Sequence, residues 1–369
     1  MRNVAALYAA VLLAPVAGCG GGFGEIDLPD EPPQLLSELQ LVRADEDGSL
    51  LTNDRVEPYA LNTPLFSDYA LKERLVYVPD GEVATPDPRW TYDFPEGSAI
   101  LKTFLVVPDL REPEVDRQRV ETRVLIRSNG EWLAWPYIWD EDGSDARFAP
   151  SGMTASMSVI DRDGASRDFT YLVPQKNQCQ ECHEIEDTVT GEKGIVPIGP
   201  TMRNLEGEHD GSEQLQRLVD AGLFAEPLAD RPPPAAHWFA TVGQDWSQVD
   251  DETLDRVARD YLDVNCAHCH NERAVNGKTS QLFLSWDNTD RFRLGVCKKP
   301  GSAAKGTGGR TWDIVPGDPD RSILHYRLQT DDVGSMMPDI GRSLVHTEGL
   351  KLIEEWIRRM DDAPCGVEE

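Results

Sequence analysis

Between about residue 50 and residue 175 the chain alternates apolar and polar positions with the period of two that a half-buried strand requires. Val120-Glu121-Thr122-Arg123-Val124-Leu125-Ile126-Arg127 places a β-branched residue at every second position, and similar short runs fall at 74–78, 99–107, 131–139 and 168–173. Turn words separate them: Pro79-Asp80-Gly81, Asn129-Gly130 and Asp163-Gly164. The pattern predicts an antiparallel β domain, as a sandwich or a barrel. Trp132, Trp135 and Trp139 sit at strand spacing, where aromatic rings pack a core more often than they line a ligand cleft.

Past residue 175 the period changes. A helix is expected at 212–224, and the run 225–236, with Pro227 and Pro232 to Pro234, is a linker. Leu254, Val257, Ala258, Tyr261 and Leu262 recur at helical spacing behind Ser247 and Asp250, and that amphipathic helix delivers the chain into Cys266. Ile353, Trp356, Ile357 and Met360 repeat the spacing behind Thr347 as N-cap. The fold class expected is α+β: an N-terminal antiparallel β domain followed by two mainly α-helical segments. At the front, Arg2 and an apolar run from Val4 to Val16 form an export signal. Thirteen residues reach about 20 Å, short of the ~30 Å needed to span a bilayer.

Composition narrows the function. The chain of 369 residues has room for two or three domains. Its formal net charge of −29 works against nucleic acid or an anionic lipid surface as a partner. There are seven Cys and seven His, and four of the Cys fall in two five-residue words, Cys179-Gln180-Glu181-Cys182-His183 and Cys266-Ala267-His268-Cys269-His270. Each is a C-x-x-C-H of the kind that attaches c-type haem; chance would yield about 0.003 such words in a chain of this composition. Two thiols one helical turn apart can add to the two vinyl groups of a porphyrin, and the adjacent His becomes the axial ligand of the iron. A zinc ribbon from four Cys would leave both His unexplained, and no βαβ setting supports a thioredoxin-like dithiol. The β region has no His between Cys19 and His183, so it brings no His chemistry. With Cys19 and the four motif Cys set aside, Cys297 and Cys365 remain, an even remainder that suggests a disulfide, with two unpaired thiols as the alternative.

Several segments resemble known families. Val16-Ala17-Gly18-Cys19 resembles a bacterial lipobox, which implies acylation of Cys19, and Gly20 in place of Asp implies the outer membrane. Asp250 to Asp362, with Met337-Pro338 and Val315-Pro316-Gly317-Asp318-Pro319, resembles a class I cytochrome c domain. The whole chain resembles bacterial di-haem c-type cytochromes with a β-rich N-terminal region; Leu61-Asn62-Thr63-Pro64-Leu65-Phe66-Ser67-Asp68-Tyr69 and Val173-Pro174-Gln175-Lys176-Asn177-Gln178-Cys179 carry the match with both haem words. The resemblance implies two covalently attached c-type haems. One is held by Cys179, Cys182 and His183, the other by Cys266, Cys269 and His270, with Met337 rather than Met336 as sixth ligand because the family ligand precedes Pro. It also implies Pro200 as the carbonyl that receives the proximal N–H of His183. The sixth ligand of the first haem stays open among Met153, Met157, His209, His237 and none, while His268, His325 and His346 read as solvated.

The expected organisation is a signal peptide at 1–18, a lipid anchor and tether at 19–49, a β-rich domain at 50–175, a first haem segment at 176–245 and a second, cytochrome c-like domain at 246–369. The function expected is single-electron transfer in the cell envelope, with a redox partner that presents a basic docking face and a membrane contact through the anchor. The alternative is a di-haem peroxidase-like or small-molecule oxidoreductase with an open site at the first haem. Three weaker signals point elsewhere: residues 301–307 lack the Lys-Ser/Thr of a phosphate loop, Asp140, Asp142 and Asp145 read as a solvated turn, and loop 298–310 is a local basic spot.

Overall fold

The computed structural model describes residues 22–366 apart from 47, 239–242, 276, 302 and 303. The expected signal peptide and Cys19 lie outside the described residues. The architecture is mixed α and β with the strands concentrated toward the N-terminus. A hairpin, β1 (Val42–Ala44) and β2 (Leu50–Thr52), precedes six strands: β3 (Val56–Pro58), β4 (Leu71–Tyr77), β5 (Ala99–Val106), β6 (Gln118–Ser128), β7 (Glu131–Trp139) and β8 (Ala146–Phe148). These form one antiparallel sheet in the order β8-β7-β6-β5-β4-β3, with a separate short hairpin, Thr85–Pro86 with Tyr92–Asp93, inserted between β4 and β5. The result is an open sheet, neither sandwich nor closed barrel. A two-stranded ribbon, β9 (Met153–Ile160) with β10 (Ser166–Val173), follows.

The period of two gives the sheet two different faces. On one, Leu75, Tyr77, Leu101, Val124, Ile126, Trp135, Tyr137 and Trp139 are covered by Leu36, Leu39, Leu41, Val42 and Leu50. Residues 35–49 therefore pack with the β domain, because Leu36, Leu39 and Leu41 are at most 1% exposed in its core. Ile26 and Leu28 pack against the same core. The other face carries Val76, Ile100, Leu125, Trp132 and Ala134, which pack against Met202, Leu205, Leu215, Leu218 and Phe224. All three Trp are core, and Trp139 donates its indole N–H to Thr122 at 2.9 Å.

The helices are α1 (Cys179–His183), α2 (Met202–Leu205), α3 (Gln214–Asp220), α4 (Asp251–Leu262), α5 (Ile323–Gln329) and α6 (Thr347–Arg358). The helix expected at 212–224 is shorter, because Ser212 and Glu213 form a bridge strand before α3. Asp250 caps α4 by accepting from the Thr253 N–H at 2.9 Å. Thr347 is the first residue of α6, and His346 takes the cap position. Leu254, Val257, Ala258, Tyr261 and Leu262 meet Leu352, Ile353, Trp356 and Ile357 in a second core. The run 225–236 has no regular structure but is fastened down: Ala235 N donates to Arg203 O at 2.9 Å and Ala236 N to Asp260 at 2.8 Å.

A strap at 61–69 joins the β domain to both later segments. Asn62 Nδ2 donates to the carbonyls of Arg203, Glu206 and Ala235, and Thr63 Oγ1 donates to Ala236 O at 2.7 Å. Phe66 N donates to Asn265 Oδ1 at 2.7 Å, one residue before Cys266. Asp68 accepts from the backbone N–H groups of Ser343 and Leu344 at 2.6 and 2.7 Å. Asp68 and Tyr69 hold this turn with positive φ of 45° and 56°. Cys297 and Cys365 are bonded, with the sulfurs 2.10 Å apart. Lys298, in the loop read as a basic spot, is buried and paired with Asp313 at 2.9 Å, so its charge does not face solvent. Asp140 pairs with Arg147, Asp142 holds Ser144, and Asp145 holds Ser37, so the three carboxylates are spent on the turn. Among the described residues no helix is long and apolar enough to cross a membrane.

Candidate functional site

The first C-x-x-C-H forms α1, a single helical turn that sets Cys179 and Cys182 on one side with His183 next in line. Beyond it, β11 (Glu184–Glu186) and β12 (Lys193–Ile195) form a hairpin that turns the chain straight back. Val196 therefore lies beside His183, and its carbonyl sits 2.7 Å from His183 Nδ1. A carbonyl only accepts, so Nδ1 carries the proton and Nε2 is left with its lone pair. Val196, and not the expected Pro200, supplies the carbonyl that receives the Nδ1–H of His183, because the hairpin returns the chain four residues earlier.

The second motif starts where α4 widens into a π-turn at Asp263–Ala267. Cys269 N and His270 N both donate to Cys266 O, at 3.1 and 2.9 Å, which fixes the turn. Ser280 Oγ donates to Gly277 O at 2.8 Å and lies 3.3 Å from His270 Nδ1. With its own proton spent, that oxygen accepts from Nδ1–H of His270. Gly277 is required here: a Cβ would come within 1.8 Å of the Cys269 carbonyl. Burial pulls both imidazoles down to about 4, so both are neutral near pH 7, the form that ligates a metal.

Met337 lines a small cavity together with Cys266, Phe66, Tyr261, Arg342 and His346, whereas Met336 is a buried core side chain. The loop that carries Met337 is clasped by Arg342, 5% exposed, which donates to Met337 O at 2.8 Å and to the carbonyls of Arg327 and Thr330 at 2.9 Å each. Met337 N donates to Arg327 O at 2.9 Å.

The two motifs, far apart in sequence, are in contact. Cys269 Sγ donates to Glu181 O at 3.3 Å across 88 residues, and ligand atoms of Cys182, His268 and Cys269 all lie within 4.8 Å of one another. The chain beyond each motif pairs with the other: Glu186 N donates to Arg273 O at 2.8 Å and Val275 N to Glu184 O at 3.3 Å. The Cys182 thiol is held well below its ordinary value by hydrogen bonds with Cys269 and then His268, while burial pushes Cys266 up to about 12 and raises Cys179.

The donor set fits c-type haem at both motifs: a pair of unbonded thiols i, i+3 and a neutral imidazole whose Nδ1–H is tied to an oxygen. Cys182, His268 and Cys269 are three donors drawn from both motifs, one short of the four of a closed zinc site.

Other histidines stand differently from the sequence reading. His346 is largely covered, with its side chain 12% exposed, stacked on Phe66 at 4.1 Å and hydrogen-bonded through Nδ1 to Tyr261 OH at 3.1 Å; desolvation pulls it down to about 3. His325 is buried 3.9 Å from Glu354, and His268 Nδ1 is buried without a partner. None of the three is solvated. Phe66 and Tyr69 of the strap cover His346 together with Trp238 and Tyr261, and nothing local marks it. His209 is held by Asn62 at 2.9 Å with its ring 5.3 Å from that of His237, and Met153 and Met157 pack beside Tyr171 and Val173. No family model, curated protein or solved structure matches the chain, so the site rests on its own geometry.

Proposed function

We propose that the chain is a di-haem c-type cytochrome that passes single electrons in the bacterial cell envelope, anchored through acyl chains on Cys19 at the outer membrane or the periplasmic face. The observation that carries this is the contact between two C-x-x-C-H turns, which puts two attachment sites side by side. Cys179, Cys182 and His183 hold one haem, and Cys266, Cys269 and His270 hold the other, with residues 246–369 as the class I cytochrome c-like domain. Each haem supplies a one-electron change at its iron. Val196 O and the Ser280 hydroxyl orient the two imidazoles and raise their basicity. Met337 offers a soft thioether on the Cys266 side, which favours the ferrous state, and Arg342 holds that loop in place. The acidic surface steers a redox partner with a basic face.

One observation favours a second reading, a small-molecule oxidoreductase with an open position at the first haem. A cavity of about 250 Å³ lies against the first motif, lined by Trp132, Lys176, Gln180, Glu184 and Lys193. The test is a pyridine haemochrome count and intact mass, followed by visible spectra of the reduced protein before and after carbon monoxide. Two haems per chain and no spectral change support the carrier. A shift in about half of the haem transfers the weight to the enzyme, and a chain without covalent haem refutes both.

A further inference from the structure

The sheet face turned toward α1 carries a row of cations that the proposed electron transfer does not by itself require. In register, Arg74 of β4 lies opposite Lys102 of β5, and Lys102 lies opposite Arg123 of β6. Three like charges stand directly across adjacent strands, an arrangement that repels. Lys72 lies one row away, opposite Phe104, whose ring has Arg123 at 4.3 Å, Lys102 at 4.9 Å and Lys72 at 5.8 Å. In a chain of net charge −29, four cations gathered on one covered face call for a compensating anion.

The chain supplies only part of it. Arg123 is forked onto Glu121 at 2.7 and 2.8 Å, and Tyr171 OH also donates to Glu121, at 2.9 Å. Lys72 donates to Ala70 O at 2.7 Å. Arg74 is only 8% exposed, yet its Nη2 has no partner. Lys102 makes no hydrogen bond or ion pair among the described residues, and its contact is the ring of Phe104. Two cationic groups are thus left over. Next to them on the same face, Ile100 and Leu125 belong to the core against which Cys179 packs.

We infer that Arg74 and Lys102, supported by Arg123 and Lys72, form a built carboxylate site that receives the propionate groups of the haem attached at Cys179 and Cys182. This rests on the di-haem assignment above. It gives the β domain a role: it is the electropositive wall of the first haem site. A guanidinium and an ammonium fit carboxylates by charge-assisted hydrogen bonds, and such bonds strengthen away from water. Burial and the neighbouring cations hold Lys102 well below its ordinary range, a penalty that a bound carboxylate reverses.

The test compares wild type, Lys102→Met, Arg74→Met and Lys102→Arg as the full haem-loaded chain. Haem is counted by pyridine haemochrome, and the propionate bending modes are read by resonance Raman beside the midpoint potential of each haem. The expected result is two haems per chain in every variant. One set of propionate modes shifts in Lys102→Met and Arg74→Met, the potential of one haem falls, and Lys102→Arg stays with wild type. Removing one of three opposed like charges relieves repulsion, so the Met variants keep the wild-type far-UV dichroism. Two haems with unchanged modes and potentials overturn the propionate site while the di-haem assignment stands. A wild-type chain without covalent haem overturns both. A spectral response of wild type to added inorganic phosphate that Lys102→Met lacks assigns the row to a diffusible oxyanion and also overturns the propionate site.

Discussion

A buried ion pair ties α2 to α4, and its removal has a calculable cost. Arg203 of α2 donates Nη2 to Asp260 Oδ1 of α4 at 2.8 Å, with side chains 6% and 2% exposed. The second oxygen of Asp260 accepts from Ala236 N at 2.8 Å, and Arg203 Nε donates to Pro233 O at 3.0 Å. The guanidinium also lies 4.0 Å above the Trp286 ring. Asp260→Ala leaves a buried guanidinium without its counter-ion, a defect that costs about 3–5 kcal/mol. It also orphans the buried Ala236 N–H, which costs about 1–3 kcal/mol and overlaps with the first term. The expected loss is about 4–5 kcal/mol, read as a fall in the urea midpoint with an unchanged m-value. Replacing both partners, as Arg203→Met with Asp260→Leu, removes the stranded charge and leaves only the orphan, about 1–3 kcal/mol. A single variant that loses less than about 1 kcal/mol, or a pair that loses as much as the single, refutes the view that this bridge ties α2 to α4.

Three further outcomes follow from the same geometry. Met337→Ala lowers the midpoint potential of one haem in a potentiometric titration, while Met336→Ala leaves potentials alone and costs about 2–3 kcal/mol of stability as a core truncation; the reverse assignment would show the opposite split. Replacing Cys297 and Cys365 by Ser opens a closure across 68 residues and lowers stability by about 4 kcal/mol on the loop-entropy account, measured by denaturant unfolding; a loss below ~1 kcal/mol contradicts it. Asp263 is half-buried, and desolvation raises its carboxyl from 3.8 to about 6 while it accepts from Trp286 N. The fold therefore binds that proton more tightly than the unfolded chain does, and this group's penalty is present above pH 6 and fades as the pH falls toward 4. Asp263→Asn, which keeps an acceptor for Trp286 N, stabilises the protein by up to about 3 kcal/mol at pH 7 and by little at pH 4; equal effects at both pH values would rule the burial penalty out.

What the sequence determined by itself is what short-range bonding encodes. Alternation of side chains across a pleat marked β5, β6 and β7 to within a residue or two, and helical spacing marked α4 and the apolar face of α6. The two C-x-x-C-H words were legible in the sequence, and the structure sets each at a turn with its thiols unbonded. Tertiary structure alone decided what those elements meet. Polar positions at 72, 74, 102 and 123 look like the solvated face of ordinary strands, and only the covering of that face by later segments turns them into a cation row. The hairpin at 184–195 chose Val196 over Pro200, the strap covered His346, and the leucines of 35–49 joined the β core. The contact between the two C-x-x-C-H turns has no signature in either word. The physical reason is one of range. Period and spacing reflect each residue's immediate covalent neighbours, whereas register and segment contact arise from many small burial and hydrogen-bond terms summed over residues distant in the chain, and no local pattern carries that sum.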